Sequence, residues 1–306
     1  MNPNGEISEL LLEPFMNESS PNPNNLPAVL SEIVDFKRKE ITNAKVCTPV
    51  ATLETMIAEI EPTRDFFGAL VKPDDPGIRI IAEIKRQSPS AGLIRPEYAQ
   101  DDFRPEIIAK QYSNAGASAI SCLTDEKFFG GSLAFINTIK TCVDLPVLRK
   151  DFILDPYQLY QARASGADAV LLIAECLDEA QIAELLELAK SLDLDVLLEV
   201  HSKANLLRAQ SVLQASLHKQ VLLGINNRDL TKMVTDLAHT TDLVDLVDDR
   251  SILVSESGIT TASDLQCLQA HGVHIALIGE HFMRQSNPGK ALKAIQGEPP
   301  SPFGPQ

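Results

Sequence analysis

From Ile78 onward the chain alternates short, unbroken apolar runs with stretches whose apolar residues recur at helical spacing. The runs are Ile78–Ile84, Ala119–Leu123, Pro146–Leu148, Ala169–Ile173, Val196–Val200, Val221–Ile225, Ile252–Val254 and Ile275–Ile278, eight in all. Unbroken aliphatic runs are the pattern of strands buried on both faces of a parallel sheet, whereas a sheet with one wet face would alternate. Helix punctuation lies between them. Asp155-Pro156 supplies an N-cap with proline at the first helical position, and Gly166 stops that helix. Arg104-Pro105 opens another that closes near Gly116, Asp178 to Leu192 is amphipathic, and Ala262 to Ala270 ends before Gly272. Eight strand–helix units repeating every roughly 23 to 40 residues predict an α/β fold closed as a (β/α)8 TIM barrel. An open doubly wound sheet is the rival, but no GxGxxG follows the first strand.

Upstream, Val29 to Lys45 places Leu30, Ile33, Val34 and Ile41 at helical spacing, and Thr52 to Val71 reads as a second helix before the loop of residues 72–77. Residues 27–77 thus form an N-terminal helical extension, and 27–296 a single barrel domain. Residues 1–26, rich in Asn, Pro, Ser and Glu, and the proline-rich tail 297–306 are expected to be disordered.

Composition narrows the partners. Forty-two acidic against 27 basic residues give a formal charge of −15, which repels nucleic acid and anionic membranes. A small anionic substrate stays open, since a few cations focused in a pocket outweigh a diffuse surface charge. No stretch approaches the roughly 20 apolar residues that span a bilayer, and the N-terminus lacks a signal-peptide pattern. The five cysteines are scattered and never form CxxC, so neither a disulfide framework nor a zinc site is expected, and the chain reads as cytoplasmic.

Active sites of such barrels lie at the C-terminal strand ends, where polar residues should interrupt the apolar runs. They do so with Glu83 and Lys85 after the first strand, Lys150 after the third and Glu199 in the fifth. Asn226 and Arg228 follow the sixth, and Ser255, Glu256 and Ser257 the seventh. A single charge of this kind could merely plug the rim. Four ionisable groups converging from three strands would cost several kcal/mol to bury without purpose, and mutual burial tunes acids and bases. Ser257-Gly258 and Ile278-Gly279-Glu280 end the last two strands, where barrels often bind phosphate through backbone N–H groups. Glu280 can contribute there only through its backbone, because its carboxylate would repel the anion.

Several runs together resemble one family: Ile81 to Ser90 (IAEIKRQSPS), Leu123-Thr124-Asp125 with Phe128-Phe129-Gly130-Gly131, and Pro146 to Phe152 (PVLRKDF). Leu198-Glu199-Val200-His201, Gly224 to Leu230 (GINNRDL), Ser255 to Ile259 (SESGI) and Leu277-Ile278-Gly279-Glu280 complete the set. In this order, across about residues 28–296, they resemble the indole-3-glycerol-phosphate synthases of bacterial tryptophan biosynthesis. The resemblance implies closure of 1-(2-carboxyphenylamino)-1-deoxyribulose 5-phosphate to indole-3-glycerol phosphate with loss of CO2 and water, without a metal or an organic cofactor. It implies Lys150 as general acid for ring closure, Lys85 and Ser88 near the ring carboxylate, and Lys85 or Lys150 with Glu83 and Glu199 for dehydration. Asn226 and Arg228 would orient substrate hydroxyl and charge, Glu256 would add a carboxylate, and Ser257, Gly258 and Gly279 would cradle phosphate. Phe128, Phe152, Leu171 and Ile173 would wall the aromatic ring, with core packing the equal alternative for each. His201 stays outside the catalytic set. The extension would cover the mouth, and a monomer is the default. Two other readings remain: a phosphate-binding aldolase forming a Schiff base at Lys150, and a silent barrel serving as a binding module.

Overall fold

The computed structural model describes residues 26–297, apart from Pro73, Pro76 and residues 100–102 and 230–233. The two expected disordered tails, but for Leu26 and Gly297, and Leu230 of the GINNRDL run lie outside the described residues. Eight parallel strands close into a barrel in sequence order, the last pairing with the first. They are β1 (Arg79–Ile84), β2 (Ala119–Leu123), β3 (Val147–Lys150), β4 (Ala169–Ile173), β5 (Asp195–Val200), β6 (Val221–Asn226), β7 (Leu253–Glu256) and β8 (Ile275–Ile278). All the expected strands form. The third and seventh run two residues further than their apolar runs, to Lys150 and Glu256. Ladder hydrogen bonds are indifferent to side-chain polarity, so the strands carry these charged residues to the barrel's end.

The extension comprises α1 (Ala28–Cys47), α2 (Val50–Glu59) and α3 (Phe66–Leu70). The helix expected over residues 52–71 is therefore two. Pro62 disfavours helical geometry at Glu61 and removes a backbone donor, and Asp65 then caps a new turn by accepting the Gly68 N–H at 2.6 Å. The remaining helices are α4 (Pro105–Asn114), α5 (Glu126–Phe129), α6 (Ala134–Lys140), α7 (Tyr157–Ala164), α8 (Glu179–Ser191), α9 (Lys203–Ala215), α10 (Ala238–Leu243), α11 (Ala262–Ala270), α12 (Glu280–Met283) and α13 (Pro288–Ile295). Their stops follow the chain's punctuation: Gly116, Gly166 and Gly272 all take positive φ just after a helix.

Alternate strand residues point into the barrel, and the register sets them in layers. Glu199 on β5 pairs with Ile173 on β4, Glu256 on β7 with Asn226 on β6, and Lys150 on β3 with Leu123 on β2. Leu148, Leu197, Val254 and Leu277 fill the interior one pleat below, or at the same level, as buried aliphatics.

The first helix is tied to the barrel mouth by a buried ion cluster. Fully buried Lys37 lies 2.8 Å from Asp125 and 2.9 Å from Asp151, with Glu40 at 3.1 Å. Burial alone would lower the lysine's pKa, but the two aspartates outweigh it and hold the ammonium charged. Tyr157 on α7 adds hydrogen bonds from its hydroxyl to the carbonyls of Ala44 and Thr48, each 2.8 Å. Helix α1 is thereby fixed with Val29, Leu30 and Ile33 facing the mouth.

Candidate active site

A cavity of about 400 Å3 opens at the C-terminal ends of the strands, under α1. Fifteen of the sixteen expected site residues line it: Glu83, Lys85, Ser88, Lys150, Phe152, Leu171, Ile173, Glu199, Asn226, Arg228, Glu256, Ser257, Gly258, Gly279 and Glu280. Phe128 does not. On the single turn α5, neighbouring residues point about 100° apart. Phe128 therefore packs edge-on against Phe36 of α1, centroids 5.8 Å apart, while Phe129 faces the cavity beside Phe152 at 6.0 Å. Phe152, Leu171 and Ile173 with Leu30 and Ile33 make the apolar part of the wall.

Two lysine–glutamate pairs occupy the floor. Lys85 Nζ lies 2.7 Å from Glu83 Oε1, and Lys150 Nζ 2.9 Å from Glu199 Oε2 and 3.4 Å from Glu256 Oε2. Burial pushes the Glu83 carboxyl up, but Lys85 and Lys150 outweigh it and hold it below the usual range. For Lys150 burial works against the charge, yet the surrounding carboxylates keep it protonated. Glu199 and Glu256 share one site and split. Burial raises both, but Lys150 and then His201 hold Glu199 down to about 2, while burial and the charge of Glu199 push Glu256 well up. The site thus sets a carboxyl group that holds its proton more tightly than usual beside one that gives it up readily, both within reach of the Lys150 amine.

Glycines make this crowding possible. A side chain at Gly279 would strike the Glu83 carboxylate, and one at Gly224 would strike that of Glu256. Ser257 and Gly258 turn with φ of 68° and 80°, a region glycine enters freely and serine rarely. Together with Gly279, the residue before α12, they line the end of the cavity away from Phe152. There the Glu280 carboxylate is turned onto Arg284 at 2.7 Å and Arg228 at 3.4 Å, and Arg228 also donates to Ser90 Oγ at 2.6 Å. Asn226 bridges inward, donating to Glu199 Oε1 at 3.1 Å.

His201 and Phe129 also line this cavity, and Ser90 joins it through Arg228, none of them among the expected site residues, whereas α1 lies over the mouth as the extension was expected to. His201 carried a usable signal: two residues beyond Glu199, it shares the inward face of β5. Among the described residues no group of His, Cys, Asp or Glu is placed to hold a metal ion, and no helix is long and apolar enough to cross a membrane.

Comparisons with known proteins agree with one another. The family model described as indole-3-glycerol phosphate synthase matches residues 30–295. A protein of that name from Rhodopirellula baltica is 46% identical over 268 residues, covering 87% of this chain and 98% of the relative. One from Rhodospirillum rubrum is 43% identical over 270 residues, covering 88% and 99%. Among solved structures, 3-hexulose-6-phosphate synthase from Salmonella typhimurium superposes with a TM-score of 0.56 at 13% identity, over 72% of this chain and 98% of that one. A tryptophan synthase alpha-subunit from Pyrococcus furiosus gives 0.52 at 11%, over 72% and 98%. At such low identity these two speak for the barrel alone.

Proposed function

The chain belongs to the indole-3-glycerol phosphate synthase family, and from that premise we propose how its cavity performs the ring closure. The protein is an enzyme of tryptophan biosynthesis that makes indole-3-glycerol phosphate, and by releasing CO2 it acts as a carboxy-lyase. The substrate, 1-(2-carboxyphenylamino)-1-deoxyribulose 5-phosphate, carries an aromatic ring, a carboxylate and a phosphate. The cavity offers a matching order of partners: an apolar wall at Phe152, Leu171 and Ile173, cations at Lys85 and Arg228, and turned backbone at Ser257, Gly258 and Gly279. Phe129 takes the place on the ring wall that its neighbour Phe128 was expected to fill.

In the first step the ring carbon bearing the carboxylate attacks the ketone, and the carbonyl oxygen gains negative charge. Lys150, protonated and unscreened by bulk water, donates the proton it needs. Breaking the bond to the carboxylate then returns its electron pair to the ring and releases CO2. Lys85 and Ser88 hold that carboxylate before it leaves. In the last step the new hydroxyl departs as water with a proton from an acid, and a base removes the proton of the adjacent carbon. The pairs Lys150–Glu199 and Lys85–Glu83 supply acid and base, each carboxylate held ionised by its lysine. Asn226 and Arg228 orient the sugar hydroxyls and charge.

The observation that carries this reading is the Lys150–Glu199–Glu256 cluster at the centre of an apolar-walled cavity. A lysine held charged by carboxylates is a proton donor. It is a poor Schiff-base nucleophile, which must be a free amine. Every group named comes from one chain, so the reaction as read here asks for no residue of a second subunit. Five free thiols fit a cytoplasmic protein. The test is incubation of the purified protein with the substrate while indole fluorescence is followed. Fluorescent product with stoichiometric CO2 is expected. Absence of product, or borohydride trapping of a covalent adduct at Lys150, would refute the reading.

A further inference from the structure

Behind Glu199 stands a pair of ionisable groups that the steps above do not use. Glu175 lies in the single turn Ala174–Cys176 after β4, with its side chain 13% exposed, and His201 at the end of β5, with its side chain 8% exposed. Glu175 Oε1 accepts the His201 backbone N–H at 2.8 Å and the Asn205 amide at 2.7 Å, and its Oε2 lies 3.1 Å from His201 Nδ1. Asn205 is gripped in turn by Arg208, which also donates to the carbonyls of Ala174 and Leu177. The imidazole is therefore fixed on one side. Its other nitrogen, Nε2, is buried, has no hydrogen-bond partner among the described residues and lies 3.3 Å from Glu199 Oε1.

We propose that Glu175 and His201 form a positioning unit for Glu199, in which Glu175 fixes the imidazole through Nδ1 and the imidazole braces the Glu199 carboxylate from the side opposite Lys150. This rests on Glu199 acting as an acid–base residue of the reaction. The geometry resembles other sites in which a carboxylate orients a histidine that serves a third group. The charged and titratable groups facing His201 are Glu175 from the turn after β4, Glu199 on its own strand and Lys150 from β3. Glu256 lies beyond Glu199, and His239 on α10 brings its Nε2 to 3.1 Å from the His201 carbonyl. Burial and Lys150 disfavour an imidazolium, but Glu175, with Glu199, outweighs them and raises its pKa. The imidazole beside Glu199 is thus biased toward its charged form, on top of the Lys150 ammonium. Removing the imidazole should let Glu199 take up a proton at higher pH.

The experiment measures kcat, KM and the pH profile of kcat for His201→Asn, Glu175→Gln and the double variant, beside Glu199→Gln. Glu175→Gln keeps an oxygen for the two N–H donors, so it preserves the fold even where His201→Asn does not. Each single variant should lose about 10-fold in kcat, a fraction of what an acid–base group contributes, with KM within about 2-fold. The acid limb of the profile should move to higher pH. The double variant should be no slower than His201→Asn alone, because Glu175 acts through the histidine. A merely structural role would lower the active fraction and leave the acid limb in place, and that result overturns the proposal. Wild-type rate and profile in both single variants, beside a crippled Glu199→Gln, overturns it while sparing the role of Glu199. Full turnover in Glu199→Gln would remove that role and the proposal together.

Discussion

At the N-terminal end of the strands, buried Asp168 accepts the backbone N–H groups of Arg64 and Val147, each at 2.7 Å, and pairs with Lys140. At the C-terminal end, buried Glu199 meets Lys150 and His201, and buried Glu256 meets Lys150. Both ends hold carboxyl groups out of water. At the floor each Asp168 oxygen accepts a backbone N–H, a donor that cannot titrate, with Lys140 added on one of them, and Arg64 extends the closure by donating to the carbonyls of Val143, Leu145 and Lys140. At the mouth the carboxyl groups meet side chains that can gain or lose protons, and among the described residues both Glu256 oxygens and His201 Nε2 find no hydrogen-bond partner. A charge whose bonds end on backbone holds the fold. One whose bonds end on other titratable groups, beside an open cavity, is available for chemistry.

The contrast breaks first at Lys150. Lys150→Ala should lower kcat by roughly 10²- to 10⁴-fold, the range of a general acid, while a melting curve stays close to the parent's. At the floor the effects should invert. Asp168→Ala leaves a half-buried lysine and two backbone donors unpaired, so stability should fall by about 3 kcal/mol in denaturant titrations, with kcat of the folded fraction unchanged. A large loss of turnover at Asp168, or a large loss of stability at Lys150, would erase the distinction.

The smallest effect belongs to Asp195, whose carboxylate accepts the Phe67 N–H at 2.7 Å at the floor. Burial raises its pKa to about 6, against the lowering influence of the backbone N–H groups of Phe67 and Phe66. A carboxyl that binds its proton more tightly when folded destabilises the protein as it ionises. The penalty is absent near pH 4, grows as pH rises through about 6, and is full above it. Asp195→Asn should therefore melt roughly 1–3 °C above the parent at pH 8 and together with it near pH 4. Identical differences at both pH values would contradict that origin.

The barrel was legible because unbroken aliphatic runs and helix-stopping glycines are local properties, and the eight runs fell where strands lie. The charged mouth was legible for a related reason: inward residues recur every second position, so Glu83 and Lys85, or Asn226 and Arg228, announce themselves beside a run. Two kinds of information were not local. Asp125 and Asp151 stand at strand ends as Lys150 does, yet they close on Lys37 from α1, a partner about 90 to 110 residues away in sequence that only the packed helix identifies. Similarly, Phe128 and Phe129 are chemically alike, and the turn that points one outward and the other inward is set by the Asp125 cap, which accepts both their N–H groups. Pro62 was visible and should have divided the helix expected over residues 52–71.

The claim that the buried charges at the mouth serve the reaction is tested most directly by kcat of purified Glu199→Gln, read as indole fluorescence from the ribulose phosphate substrate. The substitution keeps the shape of the side chain and removes its ability to exchange a proton. Turnover at least about 10²-fold below the parent's is the predicted result. Turnover within about 2-fold of it would contradict the account, since a cluster that works without its central carboxylate is holding the barrel together and nothing more.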